Sequence, residues 1–290
     1  MPTRADAHAH FFHAGYVALL PENCRRIQPD EVTLYQGLAR QYDAQQVLAV
    51  GYEAEPWAVG NNRYLSRLAA SLPWLRPVAF VAEPAKLEIA SLEKWQQESF
   101  VGLSFYCFDP QQREALGRVP AEIWAWLAER GWLVSVNSKG EHWTAWQPLL
   151  ERQPDLRLLV SHLGLPPAVE TAPDEATARQ ALREVVALAP FPGVHVKLSG
   201  FYALTQPGYA YPHQAAWPYV EVLLAAFGST RLLWGSDFSP SLEWLSFPQT
   251  FGLFEAMPFL NKADRERIEG GNLLALLAGV QSSAHTRSLS

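Results

Sequence analysis

The feature that most constrains this chain is an alternation repeated eight times. Short apolar runs rich in β-branched residues, bounded by Gly, Pro or polar residues, are followed by longer segments of helical period. The runs cover residues 4–10, 47–52, 76–82, 100–106, 132–137, 156–162, 193–199 and 231–237. The helical segments between them cover 30–42, 62–72, 85–97, 120–130, 143–152, 174–188 and 213–227, and a closing one covers 263–278. Repeated βα order predicts parallel strands covered by helices, and eight repeats predict a single-domain (β/α)8 TIM barrel over residues 1–280, with a polar C-terminal tail at 281–290. An open doubly wound sheet would bring a Gly-rich phosphate turn after its first strand; here that place holds His-Ala-His-Phe-Phe. The Pro- and Gly-containing stretch 205–212 reads as a long loop after strand seven, where a barrel builds active-site walls.

Composition narrows the function. With 49% hydrophobic and 18% charged residues the chain has material for a packed core and too little charge for disorder. A formal net charge of -6 gives no basic footprint, so neither nucleic acid nor an anionic membrane is expected as a partner, and a small molecule is. The N-terminus lacks the basic-then-apolar order of a secretory signal and no apolar run is of bilayer length, which leads to the expectation of a cytoplasmic protein. The two cysteines, Cys24 and Cys107, lack metal-type spacing and read as ordinary thiols.

Chemistry concentrates at the ends of the runs. Residues two apart in a strand share a face, so Asp6, His8 and His10 point one way, with the histidines nearest the C-terminal end where barrels do chemistry. Such a pair either binds one divalent metal or works as neutral hydrogen-bonding and proton-transfer groups. His162 in LRLLVSHLG and Asp237 in RLLWGSDFSP each end an apolar strand. A carboxylate in that position is costly without a partner, which a metal, an imidazolium or a reacting water would provide. Closure sets strand eight beside strand one and aims all four side chains at one mouth.

The chain resembles the amidohydrolase superfamily, in the amidohydrolase-2 branch that includes lactonases acting on 2-pyrone-4,6-dicarboxylate and on sugar acids. The resemblance rests on DAHAHFF, GNNRYLSRLAA, VSHLGLP, VHVKLSGFYAL, WGSDFSP and GGNLLALL, which span nearly the whole chain in order. It implies hydrolysis at a carbonyl, most simply of a lactone. Asp237 would be general base for water, His162 the partner of the developing oxyanion, and His8 and His10 metal ligands or further donors. Any metal would be a single divalent ion, zinc or manganese, on His8, His10 and Asp237; a metal-free site is the other form the resemblance allows. A metal-dependent non-oxidative decarboxylase and a non-catalytic binding barrel are the alternatives.

Departures from the family sharpen the expectation. Ser104 stands on strand four where many relatives carry Lys, Glu or Arg, which removes the bridging carboxylate of a two-metal centre, and Asn137 replaces a strand-five histidine. Arginines that would clamp a dicarboxylate are replaced by Ser104, Leu165 and Ala203. The expected mouth instead carries Tyr106, Lys139, His142, Trp143, Tyr202 and Trp57, with Ser104 and Asn137 as further substrate-binding candidates, and such a mixed aromatic and hydrogen-bonding surface suits a sugar-like or aromatic lactone. Lys197 is either a barrel-interior lysine paired with Asp237 or Asp6, or a helix-facing residue. His13, His213 and His285 are assigned no role.

Overall fold

The computed structural model describes residues 3–16 and 30–281. Cys24, His285 and the remainder of the expected tail lie outside the described residues.

Each apolar run becomes a strand: β1 Arg4–Ala9, β2 Ala44–Val50, β3 Leu75–Phe80, β4 Gly102–Cys107, β5 Leu133–Ser138, β6 Arg157–Val160, β7 Val194–Leu198 and β8 Leu232–Trp234. They pair in sequence order, all parallel. Continuous burial of residues such as Leu158, Leu159 and Val160 fits strands covered on both faces. The ring closes beyond the end of β8. Asp237 N–H donates to the His8 carbonyl at 2.8 Å, and His10 N–H donates to the Phe238 carbonyl. The residues that close the barrel are therefore the expected site residues themselves.

The outer layer holds α1 Glu31–Gln41, α2 Asn61–Ser71, α3 Ile89–Gln97, α4 Pro110–Gly117, α5 Ala121–Glu129, α6 Gln147–Arg152, α7 Glu175–Ala181, α8 Arg183–Val186, α9 Trp217–Phe227, α10 Gln249–Ala256, α11 Lys262–Glu266 and α12 Asn272–Ala278. α1 starts where Asp30 accepts hydrogen bonds from the Val32 and Thr33 amides. The expected helix 174–188 divides at Leu182, and 143–152 begins as the 3-10 turn Gly140–Trp146. The closing helix 263–278 is interrupted by the π turn Arg267–Gly271. There Gly270 lies so close to β1 that a Cβ would sit 2.4 Å from the Thr3 carbonyl, and Glu269 meets Arg4 at 2.8 Å. The π turn locks the outer helix onto the first strand. No described helix is long and apolar enough to cross a membrane.

Candidate active site

His8 is the penultimate residue of β1, and His10 follows the strand's last residue. Their Nε2 atoms are 3.1 Å apart, and His10 Nδ1 lies 2.9 Å from the Val50 carbonyl on β2. A carbonyl only accepts, so His10 carries its proton on Nδ1. On the inner side, His8 Nδ1 faces Lys197 Nζ at 3.3 Å and Ser161 Oγ at 3.4 Å. Lys197 is wholly buried in the barrel and donates to Ser135 Oγ at 2.7 Å. It is thus the interior lysine, with His8 and Ser135 rather than a carboxylate as direct partners.

β6 and β8 both stop short of the sequence expectation, and beyond their ends His162 and Asp237 take left-handed backbone with φ of 52° and 54°. Left-handed backbone at residues with a Cβ persists only where the surroundings fix it, and it clusters at functional sites. The turn aims Asp237 at the histidines. Its Oδ1 is 3.7 Å from His8 Nε2 and 3.8 Å from His10 Nε2, and its Oδ2 is 4.0 Å from His162 Nδ1. Tyr202, from the loop after β7, donates its hydroxyl to Asp237 Oδ2 at 2.6 Å. Ser199 Oγ sits 3.0 Å from His162 Nδ1.

Burial dominates the electrostatics. It raises the Asp237 carboxyl above the usual carboxylate range, against the opposing pull of His10, the Tyr202 hydrogen bond and Lys197. It lowers His162 to about 3, helped by Lys197, and it lowers His10 and, more strongly, His8. It also brings Lys197 down to about 7, with Asp6 and Asp237 pulling the other way. Three neutral imidazoles therefore surround the Asp237 carboxyl at neutral pH. Asp6 does not join them. Its oxygens accept from the amides of His8 and Ser236 and from the hydroxyls of Tyr35 and Ser236, and burial raises it to about 6.

A cavity of about 420 Å³ opens above His10, walled by Phe12, Tyr16, Tyr52, Trp57 and Tyr106. Tyr106 and Trp57 are where the sequence reading put them. Ser104 and Asn137 occupy neighbouring strands, with Ser104 Oγ and Asn137 Oδ1 lacking hydrogen-bond partners among the described residues, as does Nδ1 of the half-buried His142. Lys139 is exposed. Trp143 is not at the mouth. It is fully buried and its indole donates to the Gly164 carbonyl at 2.9 Å. His213 is also buried, against Thr205 Oγ1 at 2.7 Å, while His13 is exposed. The sequence reading passed over Ser135, Ser161 and Ser199. Alternation along β5, β6 and β7 marks all three as candidates for the interior, because each shares the parity of Asn137, Leu159 or Lys197.

The donor atoms are compatible with one metal ion. Two Nε2 atoms 3.1 Å apart and a carboxylate oxygen within 3.8 Å approach the spacing of about 3.3 Å that tetrahedral bonds of about 2.0–2.1 Å require. His8, His162 and Asp237 likewise offer ligand atoms all within 4.8 Å of one another.

Known proteins place this architecture. A curated L-fucono-1,5-lactonase of Burkholderia ambifaria is 33% identical over 143 residues, which is 45% of this chain and 44% of that protein. The match thus covers less than half the length of the curated relative. An amidohydrolase of Burkholderia multivorans superposes with a TM-score of 0.76 at 21% identity, over 95% of this chain and 99% of that one, in a structure with bound HEPES. Its zinc-bound form gives a TM-score of 0.75 at 20% identity, with the same coverage. A putative 2-pyrone-4,6-dicarboxylic acid hydrolase of Pseudomonas putida gives a TM-score of 0.69 at 24% identity, over 96% of this chain and 98% of that one. At those identities the structural likeness speaks for the fold. The amidohydrolase family model matches residues 5–278, nearly the whole length, and the chain belongs to the amidohydrolase family.

Proposed function

We propose that this protein is a hydrolase that opens a lactone, with Asp237 as general base. The observation that carries the reading is a buried carboxylate within about 4 Å of three neutral imidazoles, beside a cavity large enough for a single ring. Water attacks the lactone carbonyl carbon as Asp237 takes its proton. The ring C–O bond then breaks, and the departing alkoxide recovers that proton from the Asp237 carboxyl. With Ser199 Oγ donating to its Nδ1 at 3.0 Å, His162 would carry its proton on Nε2 and donate it to the developing oxyanion. A zinc or manganese ion on His8, His10 and Asp237 would supply an acidified water when bound.

The substrate follows from the walls. Phe12, Tyr16, Tyr52, Trp57 and Tyr106 offer aromatic faces and phenol hydroxyls, and among the described residues no Arg or Lys lines the cavity. Such a surface suits a sugar-like or aromatic lactone. The partner is this small molecule. Cytoplasmic residence fits the proposed chemistry, and cell fractionation tests it.

The test is a pH-drop assay on a panel of aldono- and aromatic lactones, with protein prepared both with and without chelator. Asp237→Asn, folded by circular dichroism, is expected to lose about 10²- to 10⁴-fold in turnover. Unchanged turnover would remove Asp237 as base. Carbon dioxide release from a carboxylated aromatic, with no lactone consumed, would replace hydrolysis by decarboxylation.

A further inference from the structure

The aromatic walls of the cavity and the loop that follows Asp237 meet at one buried side chain that the proposed reaction does not use. Glu31 opens α1, directly after the capping residue Asp30, and is 6% exposed. Its Oε2 accepts from the Phe12 amide at 2.8 Å, and its Oε1 accepts from the Tyr16 amide at 2.7 Å and from Ser239 Oγ at 2.6 Å. Burying a carboxyl side chain is costly, and three donors from two separate loops offset that cost here.

Each donor belongs to the mouth. Phe12 and Tyr16 are themselves walls, and Ser239 precedes the wall residue Pro240. Phe12 and Tyr16 lie beyond the end of β1, where no sheet ladder takes up their amides, and Glu31 takes up both. The Phe12 ring lies parallel to the His10 imidazole with centroids 5.8 Å apart, and it meets Trp57 edge to face at 4.8 Å. Tyr16 reaches the same Trp57 at 6.3 Å. The base is fastened differently. Asp237 N–H donates to the His8 carbonyl at 2.8 Å, and the Asp237 carbonyl accepts from the Ser241 amide at 2.9 Å. Loss of the Glu31 contacts therefore loosens the walls and leaves the Asp237 turn with its own bonds.

We propose that Glu31 is a positioning residue that holds the Phe12 and Tyr16 walls against the Ser239–Pro240 loop, and so sets how tightly the cavity grips a ring without taking part in the hydrolysis. The role rests on the reading of this cavity as the lactone site, while the bracing itself can be followed with no substrate present.

Two measurements on the full chain test it. Glu31→Gln keeps the shape but puts an amide nitrogen, which cannot accept, where one of the oxygens stood. Against a lactone that the wild type opens, KM should rise about tenfold, the loss of about one hydrogen bond, with kcat and the acid limb of kcat/KM unchanged. Ser239→Ala removes a single donor and should raise KM in the same way by a smaller factor. The substrate-free readout is the Trp57 indole resonance in 1H–15N NMR, assigned by its loss in Trp57→Phe. It should shift in Glu31→Gln and stay in place in Leu277→Ala, which opens a cavity under α12 away from the mouth. An unchanged KM overturns the proposal, and so does a matching fall in kcat. A Trp57 resonance that moves no further than in Leu277→Ala also overturns it and leaves Glu31 as a staple for stability alone. If no lactone is opened, the reading of Asp237 fails, and the Trp57 resonance decides the role of Glu31. If Glu31→Gln does not fold, Ser239→Ala decides by the same two readouts.

Discussion

Tyr202 shows how much a single hydroxyl can set at this site. The phenol donates to Asp237 Oδ2 at 2.6 Å, and that bond is one of the influences holding the carboxyl down against burial. Tyr202→Phe removes it, so the Asp237 pKa rises. The acid limb of the kcat/KM profile should move to higher pH by about one unit, a factor of about ten in base population on that limb. A rise in KM with the limb unmoved would instead make Tyr202 a substrate contact, the role expected from sequence. Asp237, His8, His10 and His162 were legible because an ionisable residue ending an apolar strand has few structural reasons to be there. Tyr202 and Trp143 were less so: which way a loop aromatic turns depends on backbone that leaves the strand period, and Trp143 found its partner in the Gly164 carbonyl.

At the level of elements, the site depends on strand ends that turn sharply. Gly200 directly follows Ser199 at the end of β7 with φ of 67°, and a Cβ there would stand 2.6 Å from His162 Nδ1. Gly200→Ala therefore adds left-handed strain and pushes on the His162 ring, at a cost of about 1–3 kcal/mol. Lactone turnover should fall out of proportion to the shift in urea midpoint, because the displaced ring is a working group. The control is Gly37→Ala in the middle of α1, where a Cβ meets nothing within 4 Å and a gain of about 0.5–1 kcal/mol is expected. If both variants keep full turnover, Gly200 does not support the site. All eight strands were readable from their runs, and their upper ends were not: β8 ends at Trp234 because the chain then pairs with β1 through Asp237 and Phe238. α4 and α10 went unread because each is only eight residues long and lies inside a βα connection. Asp109 capping α4 with Pro110 behind it was the available signal.

Across the whole molecule, neutral imidazoles buried or half-buried away from the mouth tie stability to acidity. His213, enclosed with Thr205, is lowered by burial to about 4, and His195 on β7 is lowered to about 4 for the same main reason. In the unfolded chain both return to about 6.5. Between pH 6.5 and 4 the unfolded state therefore binds the extra protons, and the stability these two residues contribute is complete above 6.5 and is lost as pH falls through that window. Each contributes a slope of about 1.4 kcal/mol per pH unit where it is protonated in the unfolded chain and neutral in the folded one. Asp6 acts in the opposite sense. Its folded value of about 6 means that the folded state holds the extra proton between the unfolded value and pH 6, which partly offsets the histidines there. Urea unfolding at half-unit steps from pH 7.5 to 4.5 should show stability falling toward acid. His213→Asn should flatten the fall by about one proton, whatever it does to stability at pH 7.5. Parallel curves for wild type and His213→Asn would mean that His213 is already protonated in the fold, and its burial would then need an acceptor other than Thr205.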